Sequence, residues 1–199
     1  ANVKAVALDK TGTITSGEFK VQNVETVGSH VSNAQLLSMA SAIEAVSTHP
    51  IATSIVSEAK AQGIVVEASD FVQELAGEGM VGTVDGQQVL VGNRRLMERY
   101  AVQGYPTEAV EYGTEVLVAE GNVYLGRIII ADEARPDSAE AIADLNGQGI
   151  KTVMLTGDAE ASANYIAKET GVSAVRAQLL PQDKLSVVQD IRSEYGPTM

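Results

Sequence analysis

The chain has 199 residues, of which 45% are hydrophobic, and its 26 acidic against 14 basic residues give a net charge of −12 at pH 7. Because nucleic acids and anionic membranes are bound through basic surfaces, this charge argues against both as partners. The chain contains no cysteine and only two histidines, so we expect neither a disulfide framework nor a transition-metal centre. No apolar run approaches the roughly 20 residues that span a bilayer, so no direct membrane contact is expected.

The first predicted element is a short β-strand, residues 3–8, which ends at Asp9 and runs into the tetrapeptide Lys-Thr-Gly-Thr. The backbone N–H groups of such a tight turn can surround a phosphate, and a carboxylate at the strand end is placed for in-line attack on phosphorus. An ordinary Asp-Lys turn is the alternative. Five specified residues directly after a strand favour a phosphoryl-transfer site with Asp9 as the nucleophile.

The next hundred residues indicate a separate α+β unit, which we place at residues 24–125. Apolar residues recur near helical spacing in the first helix of this unit, and Pro50 favours the first turn of the second. Further on, Asp85-Gly86 between two β-rich runs is a strong hairpin signal, and Asn93 is a suitable cap for a short helix. The predicted helices are 34–45, 50–62 and 93–100, and the predicted strands lie within 71–92 and at 115–119 and 122–130.

The remainder of the chain alternates between helices and strands. The predicted helices are 136–146, 159–170 and 181–195, and the predicted strands are 151–155 and 174–177. This alternation predicts a parallel, doubly wound sheet that also contains the first strand. The predicted fold class is therefore α/β, with a Rossmann-like domain of residues 1–23 and 126–199 that is interrupted by an α+β insertion with an antiparallel sheet.

Two further motifs lie in this last part of the chain. A Thr-Gly-Asp sequence at 156–158 follows a predicted strand and precedes a helix, and N–H groups at a helix N-terminus favour anions. Lys184 lies one turn into the helix predicted from Pro181, where a cation is slightly unfavourable for the helix dipole. By itself, the Thr-Gly-Asp sequence is also typical of an ordinary turn. Lys184 by itself is also typical of a solvated surface lysine.

Taken together, the three motifs resemble the phosphorylation and phosphate-binding motifs of the P-type ATPases, cation pumps of the haloacid-dehalogenase type that cycle through an aspartyl-phosphate. The resemblance covers essentially the whole chain. It implies a haloacid-dehalogenase-type phosphorylation domain with an inserted nucleotide-binding domain. It also implies that Asp9 is phosphorylated and that Thr156 and Lys184 bind the phosphate. The implied catalytic set is Asp9, Lys10, Thr11, Thr156, Gly157, Asp158 and Lys184.

The insertion resembles the nucleotide-binding domain of the heavy-metal, or type IB, members, in which a His-Pro pair replaces the aromatic and lysine residues that hold adenine in other P-type pumps. Imidazole can stack on a purine, a carboxylate can accept from its exocyclic amine, and glycines allow the backbone to approach the ring. Helix capping by His49 and ordinary turns at the glycines are the alternatives. The resemblance implies that ATP is bound by Glu44, His49, Pro50, Gly77, Gly79, Gly92 and Asn93.

The resemblance further implies Mg²⁺ held by Asp9 and the backbone carbonyl of Thr11. This sequence departs from the family's motif pattern in one respect. In the family, the last catalytic strand carries an acidic motif that helps to hold Mg²⁺, whereas this chain ends at Met199, where that strand begins. We therefore expect weak Mg²⁺ binding, an exposed edge on the strand that bears Asp9, and little or no turnover by the isolated chain. Segment 132–136 is where the chain returns from the insertion to the Rossmann-like domain. Its charged residues could form ion pairs between the two domains or lie in a solvated loop, and the sequence leaves both alternatives open.

The resulting hypothesis is the ATP-binding, autophosphorylating cytoplasmic portion of a heavy-metal-transporting P-type ATPase. It implies ATP and Mg²⁺ as cofactors, and as partners the membrane-embedded transport and actuator domains of the same parent chain, at the cytoplasmic face of the cell membrane. Segment 179–184 resembles zinc/cadmium/cobalt-type pumps more than copper-type pumps. Two alternatives are a free-standing haloacid-dehalogenase phosphatase, whose cap is also an insertion after the first strand, and a non-catalytic ATP-binding module.

Overall fold

A computed structural model describes residues 2–199. They separate into two compact units, one formed by residues 2–18 and 132–199 and the other by Phe19–Ala131. The first unit holds a parallel sheet and the second an antiparallel sheet, which confirms the predicted fold class. Within residues 2–199, no helix has the length and apolar content needed to cross a membrane.

The secondary structure consists of nine strands and six helices within residues 2–199. The strands are β1 (Ala5–Asp9), β2 (Thr15–Thr26), β3 (Val72–Leu75), β4 (Gly79–Val84), β5 (Gln87–Gly92), β6 (Thr114–Glu120), β7 (Val123–Ala134), β8 (Lys151–Leu155) and β9 (Ala174–Arg176). The helices are α1 (Asn33–Glu44), α2 (Pro50–Ala61), α3 (Arg94–Arg99), α4 (Ser138–Gly147), α5 (Glu160–Thr170) and α6 (Asp183–Tyr195).

The parallel sheet of the first unit has the strand order β1-β8-β9. β1 and β8 are in register along their whole length, so that Asp9 pairs with Leu155 at their carboxyl ends. Buried side chains from both strands pack with Ile191 of α6. Because the two strands end at the same level, the residues that follow them lie at one edge of the sheet, where ligands bind in folds of this type.

The last residues of the chain also pair with β1. The N–H of Lys4 donates to the Pro197 carbonyl at 2.8 Å, the N–H of Met199 donates to the Ala5 carbonyl at 3.1 Å, and the N–H of Ala7 donates to the Met199 carbonyl at 2.9 Å. The expectation that this edge of β1 is exposed is therefore wrong for these residues. An extended segment can satisfy a strand edge through its backbone alone, whatever its side chains.

The antiparallel sheet of the second unit has the order β2-β7-β6-β5-β4-β3. Leu36 and Ile43 of α1 and Ile55 of α2 are fully buried in a core shared with strands of this sheet. A second cluster contains Leu96 and Met97 of α3. β2 is a strand that the sequence did not predict, because most of its side chains are exposed and no apolar alternation marks it.

Two helices begin later than predicted. Pro136 and Pro181 lie in turns, and α4 and α6 begin two residues later, at Ser138 and Asp183. Pro50, by contrast, does occupy the first turn of α2. Proline fixes its own φ but does not force the following residues into a helix, so it marks a helix start only approximately.

Gly126 of β7 provides a test of the packing between β7 and β2. A Cβ atom at Gly126 would lie 2.2 Å from the Glu25 carbonyl oxygen and 3.0 Å from Leu36 Cδ2. We predict that Gly126→Ala lowers the free energy of unfolding by about 1–3 kcal/mol, the usual cost of overpacking. Urea denaturation followed by circular dichroism measures the change. As a control, Gly147→Ala places its Cβ in open space at the end of α4 and should be neutral or stabilising. An unchanged stability in Gly126→Ala would contradict the close packing.

Candidate active site

Asp9 lies at the carboxyl end of β1, with its side chain partly exposed to solvent. Lys184, the second residue of α6, donates from Nζ to Asp9 Oδ1 at 2.5 Å. The fold thus brings into contact two predicted catalytic residues that are 175 positions apart in the sequence. An ammonium group at this position stabilises the carboxylate and can also offset negative charge on a phosphoryl oxygen.

Thr156 follows β8 directly, at the same sheet edge as Asp9. It is buried, and its Oγ1 accepts a hydrogen bond from the N–H of Asp158 at 3.1 Å. This local turn orients the hydroxyl, and a hydroxyl that accepts one bond still has its own proton to donate. Thr156 is therefore a fixed hydrogen-bond donor beside the strand end that bears Asp9.

Lys10 and Asp158 form an ion pair that connects the loop after β1 with the loop after β8. Lys10 Nζ lies 2.6 Å from Asp158 Oδ2, and Lys10 is only 8% exposed. A buried ammonium group requires such a partner, because an isolated charge is costly to remove from water. The pairing suits a positioning role, in which the two residues hold the loops on either side of Asp9 together.

Thr11 and Gly157 complete the predicted catalytic set. Thr11 is exposed on the loop Lys10–Ile14, which is closed by a hydrogen bond from the Thr15 N–H to the Lys10 carbonyl. Gly157 passes close to another loop, since a Cβ there would lie 3.1 Å from the Leu179 carbonyl oxygen. A bulkier residue at this position would press against that neighbouring backbone.

The oxygen atoms near Asp9 fit a weakly held Mg²⁺. Within residues 2–199, no cluster of three acidic or histidine side chains could hold a metal ion by itself. Mg²⁺ is commonly bound by one or two carboxylates together with substrate phosphate and water. The Asp9 carboxylate and the Thr11 backbone carbonyl are ligands of the right type, so the donor set suits an ion that arrives with a phosphate.

Asp132 is a buried residue whose role the sequence did not resolve. Its carboxylate accepts from Thr15 Oγ1 at 2.5 Å and from the Gly17 N–H at 2.9 Å. Of the two alternatives for segment 132–136, the solvated loop is therefore wrong for Asp132. The solvated-loop alternative fits Arg135, which is exposed and whose Nε lies 3.7 Å from Oδ1 of the still more exposed Asp137. Asp132 thus anchors the residues that follow the Asp9 loop.

A cavity of about 270 Å³ lies in the second unit, lined by the end of α1, the start of α2 and residues of β3 to β6. This volume is near the lower end for ligand pockets and suits a purine base, with the rest of a nucleotide outside. Pro50 does not line the cavity and instead occupies the first turn of α2. The predicted nucleotide-binding residues that do line it are Glu44, His49, Gly77, Gly79, Gly92 and Asn93.

Glu44 is the last residue of α1 and is only 7% exposed. Within residues 2–199, its carboxyl group has neither a hydrogen-bond partner nor an ion-pair partner. Burial raises the pKa of Glu44 to about 7, and the nearby carboxylate of Glu74 adds to the rise. A buried, unpartnered carboxyl group that lines a cavity points to a ligand with complementary polar atoms.

His49 both caps α2 and lines the cavity. Its Nδ1 accepts a hydrogen bond from the Ile51 N–H at 3.2 Å, which makes His49 the N-cap residue. The capping alternative raised by the sequence is thus correct, but it does not exclude ligand contact. Because Nδ1 is the acceptor, the neutral imidazole carries its proton on Nε2 and can donate to a ligand.

Gly79 and Gly92 are required by packing between neighbouring strands. A Cβ at Gly79 would lie 2.4 Å from the Val91 carbonyl oxygen, and a Cβ at Gly92 would lie 2.3 Å from the Glu78 carbonyl oxygen. Both residues also line the cavity. Their lack of side chains therefore lets β4 and β5 close one wall of it.

The sequence missed the ion pairs that surround the cavity. Arg99 of α3 forms a bidentate pair with Glu78, with both N–O distances at 2.6 Å, and this hydrogen-bonded guanidinium holds the pKa of Glu78 below its ordinary value. Glu115 of β6 is bound by Arg94 at 2.6 Å and by Arg127 at 3.1 Å. The one available signal was that Glu78 stands between the two glycines already predicted to bind the nucleotide.

Asn93 connects the glycine segment to α3. Its Nδ2 donates to the Gly77 carbonyl at 2.8 Å, and its Oδ1 accepts from the N–H groups of Arg95 and Leu96 at the start of the helix. The predicted cap is therefore present, and the same side chain fixes the Gly77 backbone at the cavity wall. Both polar atoms of Asn93 already have protein partners, which suits a positioning role.

The chain is similar to metal-transporting ATPases over nearly its whole length. It is 42% identical to a zinc-transporting ATPase of Synechocystis sp. (98% of this chain, 26% of that protein) and 39% identical to a cadmium, zinc and cobalt-transporting ATPase of Bacillus subtilis (98% of this chain, 28% of that protein). Among solved structures it is similar to a zinc-transporting PIB-type ATPase in the E2.Pi state, with 34% identity, a TM-score of 0.86 and coverage of 98% of this chain and 32% of that one. The chain thus spans about a third or less of these relatives.

These similarities confirm the resemblance that the motifs indicated, including the zinc/cadmium/cobalt type. The model of the haloacid dehalogenase-like hydrolases matches residues 3–199. With Asp9, Thr156 and Lys184 gathered at one edge of a parallel sheet, the chain belongs to the haloacid dehalogenase-like hydrolase family.

Proposed function

We propose that this chain is the ATP-binding and autophosphorylating portion of a heavy-metal cation-transporting P-type ATPase, and that Asp9 is the residue phosphorylated. The observation that carries the proposal is the contact between Asp9 and Lys184 at the end of β1. The neighbouring strand β8 is in register with β1 and places Thr156 at the same sheet edge. Its partners are the membrane-embedded transport domain and the actuator domain of the parent chain, and it works at the cytoplasmic face of the membrane.

The groups around Asp9 match the requirements of phosphoryl transfer. This reaction needs an anionic nucleophile and fixed charges or donors for the three non-bridging oxygens of the phosphoryl group. Asp9 attacks phosphorus through a carboxylate oxygen, and the bond from phosphorus to the leaving oxygen of the nucleoside diphosphate breaks. Lys184 and the Thr156 hydroxyl offset charge on the transferring oxygens, while the Lys10–Asp158 pair holds the loops. When bound, Mg²⁺ at Asp9 and Thr11 supplies further positive charge for the phosphate.

The cavity in the second unit supports ATP as the substrate. Glu44 offers polar atoms that have no partner within residues 2–199, and His49 offers an imidazole fixed by its cap. The strands that contain Gly79 and Gly92 close one wall of a cavity whose volume suits a purine. A phosphatase cap has no need of such a pocket. These features favour the ATPase over a free-standing phosphatase.

We predict that the full-length protein forms an acid-stable, hydroxylamine-labile phosphoenzyme from labelled ATP and that Asp9→Asn abolishes it. The amide keeps the size of the side chain but is not a nucleophile at phosphorus. Acid-quenched labelling followed by electrophoresis measures the effect. Asp190→Asn, which changes an exposed carboxylate of α6, is the matched control and should label normally. Label that persists in Asp9→Asn would assign the phosphorylation to another residue.

We also predict that Lys184→Met slows phosphorylation by about 10²- to 10³-fold, as expected when one preorganised charge is removed from a transition state. Met retains the length and apolar part of the side chain. Rapid-quench measurement of the labelling rate at saturating ATP tests this without interference from nucleotide affinity. A rate within two-fold of the wild type would show that the Lys184 contact with Asp9 has no part in the chemistry.

A third prediction separates the two roles of His49. His49→Asn retains a good N-cap residue, whereas His49→Ala removes both the cap and the ring. Both variants should bind ATP about ten-fold more weakly or worse, because a ring contact of 1–3 kcal/mol is lost. Only His49→Ala should also lose about 1 kcal/mol of stability. Calorimetric titration and thermal denaturation measure the two quantities. Wild-type affinity in His49→Asn would restrict His49 to helix capping.

A further inference from the structure

The cavity holds an unusual surplus of acidic groups. Its titratable residues are His49 before α2, Glu74 on β3, Glu78 before β4, Glu115 on β6 and Glu44 itself, and neither lysine nor arginine is among the lining residues. The nearby arginines bind other carboxylates: Arg99 binds Glu78, and Arg94 and Arg127 bind Glu115. Within residues 2–199, therefore, no lysine or arginine lines the cavity to stabilise an ionised Glu44.

The position of Glu44 in α1 adds to this effect. Glu44 is the last residue of the helix, where the dipole presents its negative end and disfavours a second negative charge. Glu74 presents a like charge from β3, and burial removes water from the carboxylate. Geometry, neighbouring charge and desolvation all favour the neutral acid, with a pKa of about 7.

The protonation state of Glu44 decides how many hydrogen bonds it can make with adenine. A neutral carboxyl group has one O–H donor and one carbonyl acceptor, whereas the ionised group only accepts. Adenine presents an acceptor at N1 beside a donor at the exocyclic amine, so the neutral acid can make both bonds. The ionised carboxylate can accept from the amine but cannot donate to N1.

We propose that Glu44 binds adenine in its neutral form, donating its hydroxyl proton to purine N1 and accepting from the exocyclic amine, so that nucleotide binding above neutral pH takes up one proton from solvent. This inference rests on the proposed function, since it assumes that the cavity holds the base. The proton adds to a carboxylate oxygen, and no other bond is made or broken. The affinity of the cavity for adenine is thereby coupled to pH.

The pH dependence follows from the raised pKa. With a pKa of about 7, the neutral form of Glu44 dominates at pH 6 and falls to about one tenth at pH 8. Since apparent affinity scales with the competent fraction, binding of adenosine should be about ten-fold weaker at pH 8 than at pH 6. About 0.9 proton should be taken up per base bound at pH 8, and about 0.1 at pH 6.

The test uses adenosine, which carries no phosphate that titrates in this range. Titration of the 199-residue chain at pH 6, 7 and 8, in buffers with different heats of ionisation, gives both the affinity and the number of protons taken up. Glu44→Gln keeps one donor and one acceptor but cannot titrate, so adenosine should bind with no pH dependence and no proton uptake. Glu74→Gln should move the pH midpoint downward, because the like charge of Glu74 is one cause of the raised pKa of Glu44. An upward shift of the midpoint would contradict the inference.

Two controls separate Glu44 from other titrating groups. Glu67→Gln changes an exposed carboxylate in the same unit and should behave as the wild type. His49→Asn removes the neighbouring imidazole and should retain the pH dependence at lower affinity.

The outcomes distinguish the inference from the proposed function. If folded protein binds neither adenosine nor ATP at any pH, the nucleotide site fails and the inference fails with it. If adenosine binds equally at pH 6 and 8 with no proton uptake, only the inference is overturned. Should Glu44→Gln not fold, the proton count of the wild type and the midpoint in Glu74→Gln still decide the matter.

Discussion

The parallel pairing of β1 with β8 is the constraint on which the phosphoryl site depends. Because Asp9 is in register with Leu155, the loops that follow the two strands leave the sheet side by side. Thr156 and Asp158 are thereby placed next to the loop that contains Lys10, and the buried Lys10–Asp158 pair secures that contact. The sheet thus supplies geometry that no single loop could maintain, and α6 adds only the ammonium group of Lys184.

Charge pairing organises the second unit in a different way. Arginines bind the carboxylates of Glu25, Glu78 and Glu115, and these pairs tie α3 and the strands around the cavity together. These pairs also determine which acidic groups of the unit remain without a counter-ion. Glu44, at the end of α1, is one of these groups, and the lack of a counter-ion is consistent with its raised pKa.

Much of the architecture could be predicted from the sequence because it is encoded locally. The hairpin at Asp85-Gly86, the cap at Asn93 and the alternation of helices and strands after residue 136 each depend on a few neighbouring residues. β2 could not be predicted, since most of its side chains are exposed and show no apolar alternation. The residues of the candidate site were indicated by motifs, but their partners were not. The contacts of Lys10 with Asp158 and of Glu78 with Arg99 join positions far apart in the chain, and nothing in either local sequence specifies them.

The cap formed by His49 has a consequence for the entropy of ligand binding. A free surface imidazole samples several rotamers, and a ligand that stacks on it must restrict them at the expense of affinity. In this chain the hydrogen bond from the Ile51 N–H to Nδ1 restricts the ring when α2 forms, before any ligand arrives. The conformational freedom of the ring is thus given up during folding, and a base that meets it encounters a surface that is already ordered.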